Sequence, residues 1–257
     1  MITDSFDYSS PLFTPEDFYG PQQHMCDVCL ITFSEEIYRN LLETYDCRKL
    51  SEFRLANGTR PVHAFTYGGM DIAFYLSDVG ASCASADMIE ANWRCGVTKF
   101  ILFGSAGSLA PSVTEGRYVV PTEAYRDEGT SYHYAPPADY IRIRMSDRVR
   151  AFFEQEKLPY TAGRIWTTDA FYRETKRQAA ARRDDGCIAV DMEIAGAEAV
   201  CDYHGFELYP FLVTGDILGE DAYDPSGLAS ANHDIGKLSA AIRLALFAGT
   251  AVGNRAG

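Results

Sequence analysis

Four short stretches carry the polar groups and glycines that hold small ligands. Gly104-Ser105-Ala106-Gly107 offers backbone N–H groups and a hydroxyl, which suit an anion or a ribose oxygen, or simply turn the chain out of a strand. No Gly-Lys-Ser/Thr follows, so it is not a nucleotide P-loop. Asp191-Met192-Glu193 sits where a strand meets a helix. Glu193 can complement the helix dipole there, or accept two hydroxyls of a sugar while Met192 packs on the sugar's apolar face. Asp216 follows the apolar run Phe211-Leu212-Val213. A carboxyl there loses part of its hydration, which favours a protonated general acid; an Asx turn before Gly219 is the plainer reading. Phe171 and Tyr172 can stack on a planar ring or plug the core, and Arg177 can bond a base carbonyl or stay solvated. Glu35 and Glu36 open a helix, where acids are favoured for dipole reasons alone.

The elements that must position these groups alternate. Strands are expected over 26–33, 62–67, 72–77, 99–103, 118–121, 161–168, 188–190 and 208–214. Gly68-Gly69 should close a hairpin. Helices are expected after Ser34 with Ile37, Leu41 and Leu42 on one face, then over 82–95, 146–156 with Ser146 as cap, 174–183, 194–203 and 232–247. This order predicts an α/β fold, a mixed central sheet covered by helices in a single domain over 25–257, preceded by an N-terminal arm over 1–24. In such folds ligands sit beyond the carboxyl ends of strands, and all four stretches lie at strand ends.

Composition bounds the partners. The 257 residues include 47% hydrophobic and 23% charged types, enough for one full core. The 36 acidic and 23 basic residues give a net charge of −13, which argues against nucleic-acid binding. No run of roughly 18 apolar residues predicts a membrane span, and no basic, apolar leader opens the chain, so a cytoplasmic protein is expected. The seven scattered cysteines suit reduced thiols. Cys26-Asp27-Val28-Cys29 has no second pair or suitable histidines, so no metal site is expected.

Taken together and in order, the four stretches resemble the nucleoside phosphorylase family of purine and uridine phosphorylases and methylthioadenosine/adenosylhomocysteine nucleosidases. Ile101–Pro111 with Gly116–Pro121 is similar to its first block, Thr168–Tyr172 to its base-stacking segment, Ala189–Ala197 to its ribose block and Thr214-Gly215-Asp216 to its acid. The resemblance implies Glu193, Met192 and Ser105 on the ribose, Phe171, Tyr172 and Arg177 on the base, and Asp216 protonating purine N7. Gly104, Ser105, Gly107 and Arg60 would lie at the phosphate or water site. It implies an oxocarbenium-like transition state, no organic cofactor, phosphate as co-substrate, and a dimer-based homo-oligomer, up to a hexamer.

Two departures bear on the acceptor. The family's phosphate-binding G-D-P-x-R is Phe33-Ser34-Glu35-Glu36-Ile37 here, and Leu102 stands where an arginine is usual. Losing two guanidiniums removes the best-matched phosphate donors. Glu36-Ile37 resembles the nucleosidase pattern instead, with Glu36 as the base that activates water. Asp127–Pro136 resembles the phosphorylases, although Thr175 replaces a glutamine of the uridine type, and Arg60 or Arg39 could supply a substitute cation. These residues favour water, but most members of the family use phosphate, so the resemblance implies cleavage of an N-glycosidic bond, purine before uridine because Asp216 is retained, with transfer to phosphate. Hydrolysis through Glu36 is the alternative, and a non-catalytic nucleoside-binding protein the second.

Overall fold

The computed structural model describes residues 2–56, 58–220 and 222–250. The outer ends of the two expected segments, Met1 and residues 251–257, lie outside the described residues. Before the first strand, helix α1 (Pro15–Tyr19) packs on α3 (Ala81–Cys95), and the Trp93 indole donates to Gly20 O at 2.7 Å.

The sheet begins with β1 (Val28–Thr32), every residue of which is buried. Helix α2 (Glu35–Thr44) follows and is capped by Ser34, whose hydroxyl accepts from Ile37 N. Ile37 and Leu41 point inward, while Leu42 is exposed. Next come β2 (Arg48–Leu55), β3 (Gly58–Tyr67) and β4 (Met70–Leu76). Strand β2, RKLSEFRL, is absent from the sequence reading because its charged residues mask an edge strand that buries only Ser51 and Phe53. Gly68 and Gly69 close the β3–β4 hairpin with φ of 58° and 80°, as a primed turn requires.

Strand β5 (Lys99–Ser108) runs straight through Gly104–Gly107 instead of ending there, because β10 (Glu207–Leu218) pairs with it over nearly its whole length. Between them in sequence lie α4 (Pro111–Thr114), β6 (Tyr118–Asp127), α5 (Ser131–Tyr134), β7 (Tyr140–Arg142), α6 (Ser146–Gln155), β8 (Tyr160–Thr168), α7 (Lys176–Asp184), β9 (Cys187–Asp191) and α8 (Ile194–His204). Met145, not Ser146, is the cap of α6, and the Ser146 hydroxyl is buried as the first helical residue. After β10 come β11 (Tyr223–Asp224), α9 (Leu228–Asn232) and α10 (Ile235–Thr250). The expected single helix over 232–247 is thus two, broken at His233-Asp234.

The order β11-β10-β6-β8-β9-β5-β1-β4-β3-β2, with β10 also pairing β5, closes β5, β10, β6, β8 and β9 into a ring from which β1, β4, β3 and β2 extend. Parallel pairs (β1–β4, β1–β5, β10–β5, β6–β8, β8–β9) mix with antiparallel ones. This is the expected mixed α/β sheet. One apolar cluster packs α3 and α8 against one face, and a second packs α2, α6 and α10 against the other. Cys26 and Cys29 are buried free thiols. No helix among the described residues is long and apolar enough to cross a membrane.

Candidate functional site

Strand β5 changes partner midway. Its pairing with β1 ends at Leu102, and its pairing with β9 begins at Gly107. Along Phe103–Ala106 the edge on that side is open, and the slot is the floor of a cavity of about 920 Å³. Gly107 is required at the crossing. A Cβ there would strike Leu218 Cδ1, lie 2.9 Å from Val190 Cγ1 and 3.5 Å from Asp216 Oδ2. Gly104 is roomier, with Phe33 at 3.6 Å from the same position. Opposite, the β10 register slips between Thr214 and Asp216, so an irregularity inside the strand, not its end, turns Asp216 into the cavity.

One wall is the start of α8. Asp191 takes the capping role, accepting from Glu193 N at 2.9 Å and Ile194 N at 2.7 Å through Oδ2, and from the Thr167 hydroxyl at 2.6 Å through Oδ1. Glu193 is therefore released from the helix terminus and makes no capping bond of its own. Its Oε1 accepts from Gly80 N at 2.7 Å, where φ of 111° demands glycine. Burial and the nearby Asp191 carboxylate both push the Glu193 carboxyl above its ordinary range. Met192 lies beside it on the same wall.

The break between α9 and α10 supplies the other side of the slot. Asn232 accepts from the Ser105 hydroxyl through Oδ1, and His233 Nδ1 lies 2.8 Å from Ser34 Oγ. Lys237 holds the break in place: its buried ammonium donates to Ala231 O, and to Asn232 O at 3.0 Å. Burial lowers its pKa to about 8, so it stays largely cationic at neutral pH. Lys237 escapes sequence reading because it sits at an apparent helix-face position. Only the break shows that it lines the cavity.

At the opposite end the rings of Phe171 and Tyr172 lie 4.0 Å apart at the cavity rim, with Tyr172 89% exposed. Helix α7 begins at Lys176, not Glu174, because Thr175 and Gln178 form a capping box. Glu174 is thereby left on the preceding turn and lines the cavity. Burial, then the charge of Asp216, raises it to about 7. The T-x-x-Q spacing was the signal that could have found it. Tyr223 completes this end, its phenol raised by burial and by Asp216, with which it hydrogen-bonds.

The expected residues thus separate into two groups. Glu193, Met192, Gly104, Ser105, Gly107, Phe171, Tyr172 and Asp216 share the cavity wall. Glu36, Arg60 and Arg177 are not among the residues that line it. Glu36 is 66% exposed, 3.7 Å from His233 Nδ1, because α2 turns its first residue, Glu35, to the cavity instead. Arg60 is tied to Asp78 and Asp87, a pair in which burial holds Asp87 up at about 7. Arg39 pairs with Glu35 at the surface. Arg177 is on α7 beyond the cap, in a separate cavity of about 300 Å³ with Trp166 and Arg182. Among the described residues no arginine lines the main cavity; the lysines that line it are Lys176 and Lys237.

A sequence profile of the phosphorylase superfamily matches residues 27–246. The chain belongs to this superfamily. It is 27% identical over 179 residues to a DeoD-type purine nucleoside phosphorylase of an Exiguobacterium species, covering 66% of this chain and 73% of that one. The fold is similar to that of uridine phosphorylase from Vibrio fischeri, with a TM-score of 0.71, 22% identity, and 89% and 93% of the two chains covered. It is also similar to that of the 5'-methylthioadenosine/S-adenosyl homocysteine nucleosidase of Helicobacter pylori, with a TM-score of 0.63, 18% identity, and 89% and 98% covered.

Proposed function

We propose that this superfamily member cleaves the N-glycosidic bond of a purine nucleoside and transfers the sugar to phosphate. The supporting observation is that Glu193, the Ser105 slot and Asp216 line one cavity whose volume suits a nucleoside with a small anion. Glu193 accepts ribose hydroxyls, with Met192 against the sugar. Phe171 and Tyr172 cover the base. Asp216 donates to N7 as the C–N bond breaks, so the base leaves neutral, and positive charge develops on the sugar. Phosphate, entering over Ser105, then attacks the anomeric carbon. Its charge is met by the Lys237 ammonium and by hydroxyls of Ser34 and Ser105, in place of guanidiniums.

The lack of an arginine among the described cavity residues favours a second reading, in which water replaces phosphate. Glu35, which lines the cavity, is then better placed than Glu36 to accept the water's proton. Incubating the purified protein with adenosine, inosine and uridine, with and without phosphate, separates these. Base release that requires phosphate supports transfer, and release without it supports hydrolysis. Saturable binding without release makes the chain a nucleoside-binding protein and refutes both. A dimer-based assembly belongs to the same reading, and light scattering on the eluting protein tests it.

A further inference from the structure

Ser34 and His233 meet at the acceptor end of the cavity, which both line. Ser34 caps α2, and His233 stands 199 residues later at the break between α9 and α10. A hydroxyl oxygen has three hydrogen-bonding positions, one hydrogen and two lone pairs. Ile37 N–H takes a Ser34 lone pair at 3.3 Å, and His233 Nδ1 occupies a second position at 2.8 Å. The third is left for the cavity. Whether it offers a hydrogen or a lone pair depends on which way the Ser34–His233 bond runs. The phosphate reading uses Ser34 and leaves His233 without a task.

We infer that His233 is a positioning residue, which carries a proton on Nδ1 and donates it to Ser34, so that the Ser34 hydroxyl faces the cavity as a donor to an oxyanion. The inference rests on the phosphate reading above and names the residue that prepares its acceptor site. With Nδ1–H donated to Ser34, both lone pairs are taken and the hydroxyl can only donate, as an oxyanion requires. With the hydrogen on Nε2 instead, Ser34 donates to the bare Nδ1 and turns a lone pair to the cavity. That lone pair repels an oxyanion and suits a water.

Glu36 of α2 lies 3.7 Å from the same nitrogen and, as an acceptor only, favours hydrogen there, though its exposure screens the effect. Glu35 of α2, Lys176 of α7 and Lys237 of α10 line the same cavity. Asp234, next in the chain, accepts from Gly236 N at 2.7 Å. Histidines change charge between about pH 5 and 8. Every imidazolium carries Nδ1–H, whereas a neutral ring divides between two tautomers, so acidification should strengthen oxyanion binding through Ser34.

The test measures calorimetric binding of sulfate, whose charge is constant across this range, at about pH 5.5 and about pH 7.5. It compares wild type with His233→Gln, Ser34→Ala and Ser34→Thr. Wild-type affinity should rise on acidification by ~10-fold more than that of His233→Gln or Ser34→Ala. Ser34→Thr keeps a capping hydroxyl and should keep the wild-type rise. Cavity carboxyls that gain protons in the same interval, Glu174 and Glu193 among them, are common to all four proteins and cancel in the comparison. A wild-type rise in His233→Gln overturns the inference. So does one in Ser34→Ala, because His233 would then act by its charge alone. Should Ser34→Ala fail to fold, nitrogen-15 spectra of the His233 ring in sulfate-saturated wild type at about pH 7.5 decide. Hydrogen on Nδ1 supports the inference, and a bare Nδ1 overturns it. A wild type that shows the full pattern but releases no base refutes the cleavage reading and leaves the inference standing. One that binds no sulfate yet releases base refutes the inference and the phosphate reading, and leaves hydrolysis.

Discussion

Assayed at about pH 9, above the value to which burial and Asp191 raise its carboxyl, replacing Glu193 by Gln keeps the shape of the side chain and removes one charge and one acceptor. Gly80 N–H already donates to Oε1 at 2.7 Å, so the amide must turn its oxygen toward Gly80 and its NH₂ into the cavity. The sugar hydroxyls then meet a donor where they met a carboxylate. A hydrogen bond to a charged group contributes about 1.5–3 kcal/mol, so two contribute about 3–6 kcal/mol. At about 1.4 kcal/mol per tenfold, kcat/KM should fall by ~10² or more.

Stability should move the other way. Glu193 holds its proton to higher pH in the folded chain than in the unfolded one, through burial and Asp191. Above its ordinary value of 4.5 the folded state therefore binds more protons, and stability declines as the pH rises toward the raised value. Gln has no such titration. Its Tm should equal or exceed that of wild type, by a margin that widens between about pH 5 and about pH 8. Steady-state base release together with thermal unfolding at several pH values measures both. A kcat/KM within ~5-fold of wild type refutes the sugar role, and a variant that loses both activity and Tm makes Glu193 a structural residue.

Asp216→Asn should lower purine cleavage by ~10²-fold or more with the fold intact, and unchanged turnover removes it from the acid role. Glu36→Gln should leave kcat/KM within ~2-fold, because the side chain is exposed and outside the cavity lining; loss of hydrolysis alone would restore Glu36 as the base. Gly107→Ala should destabilise by about 1–3 kcal/mol, since its Cβ would meet Leu218 and Val190 at the strand crossing; an unchanged Tm would show that these side chains yield.

Much of the architecture was legible because it is local. Period-two and helical patterns, the Gly68-Gly69 turn and the Ser34 cap report backbone preferences that need no distant partner. The four ligand-type stretches were legible for the same reason, as polar breaks in apolar runs. Residues such as Glu36, Arg60 and Arg177 carried the right chemistry, but whether a side chain faces a cavity depends on one helical step or on its ion-pair partners.

The ring of strands belongs to the second kind of information. β5 extends through its glycines because β10, about a hundred residues later, pairs with it, and its open edge exists because β1 stops before β9 begins. Glu174 and Lys237 enter the cavity only through a cap and a helix break that packing fixes. The sequence by itself determined which groups can donate, accept or stack. Tertiary structure decided which of them meet, because meeting depends on strand register and burial set by residues far away in the chain.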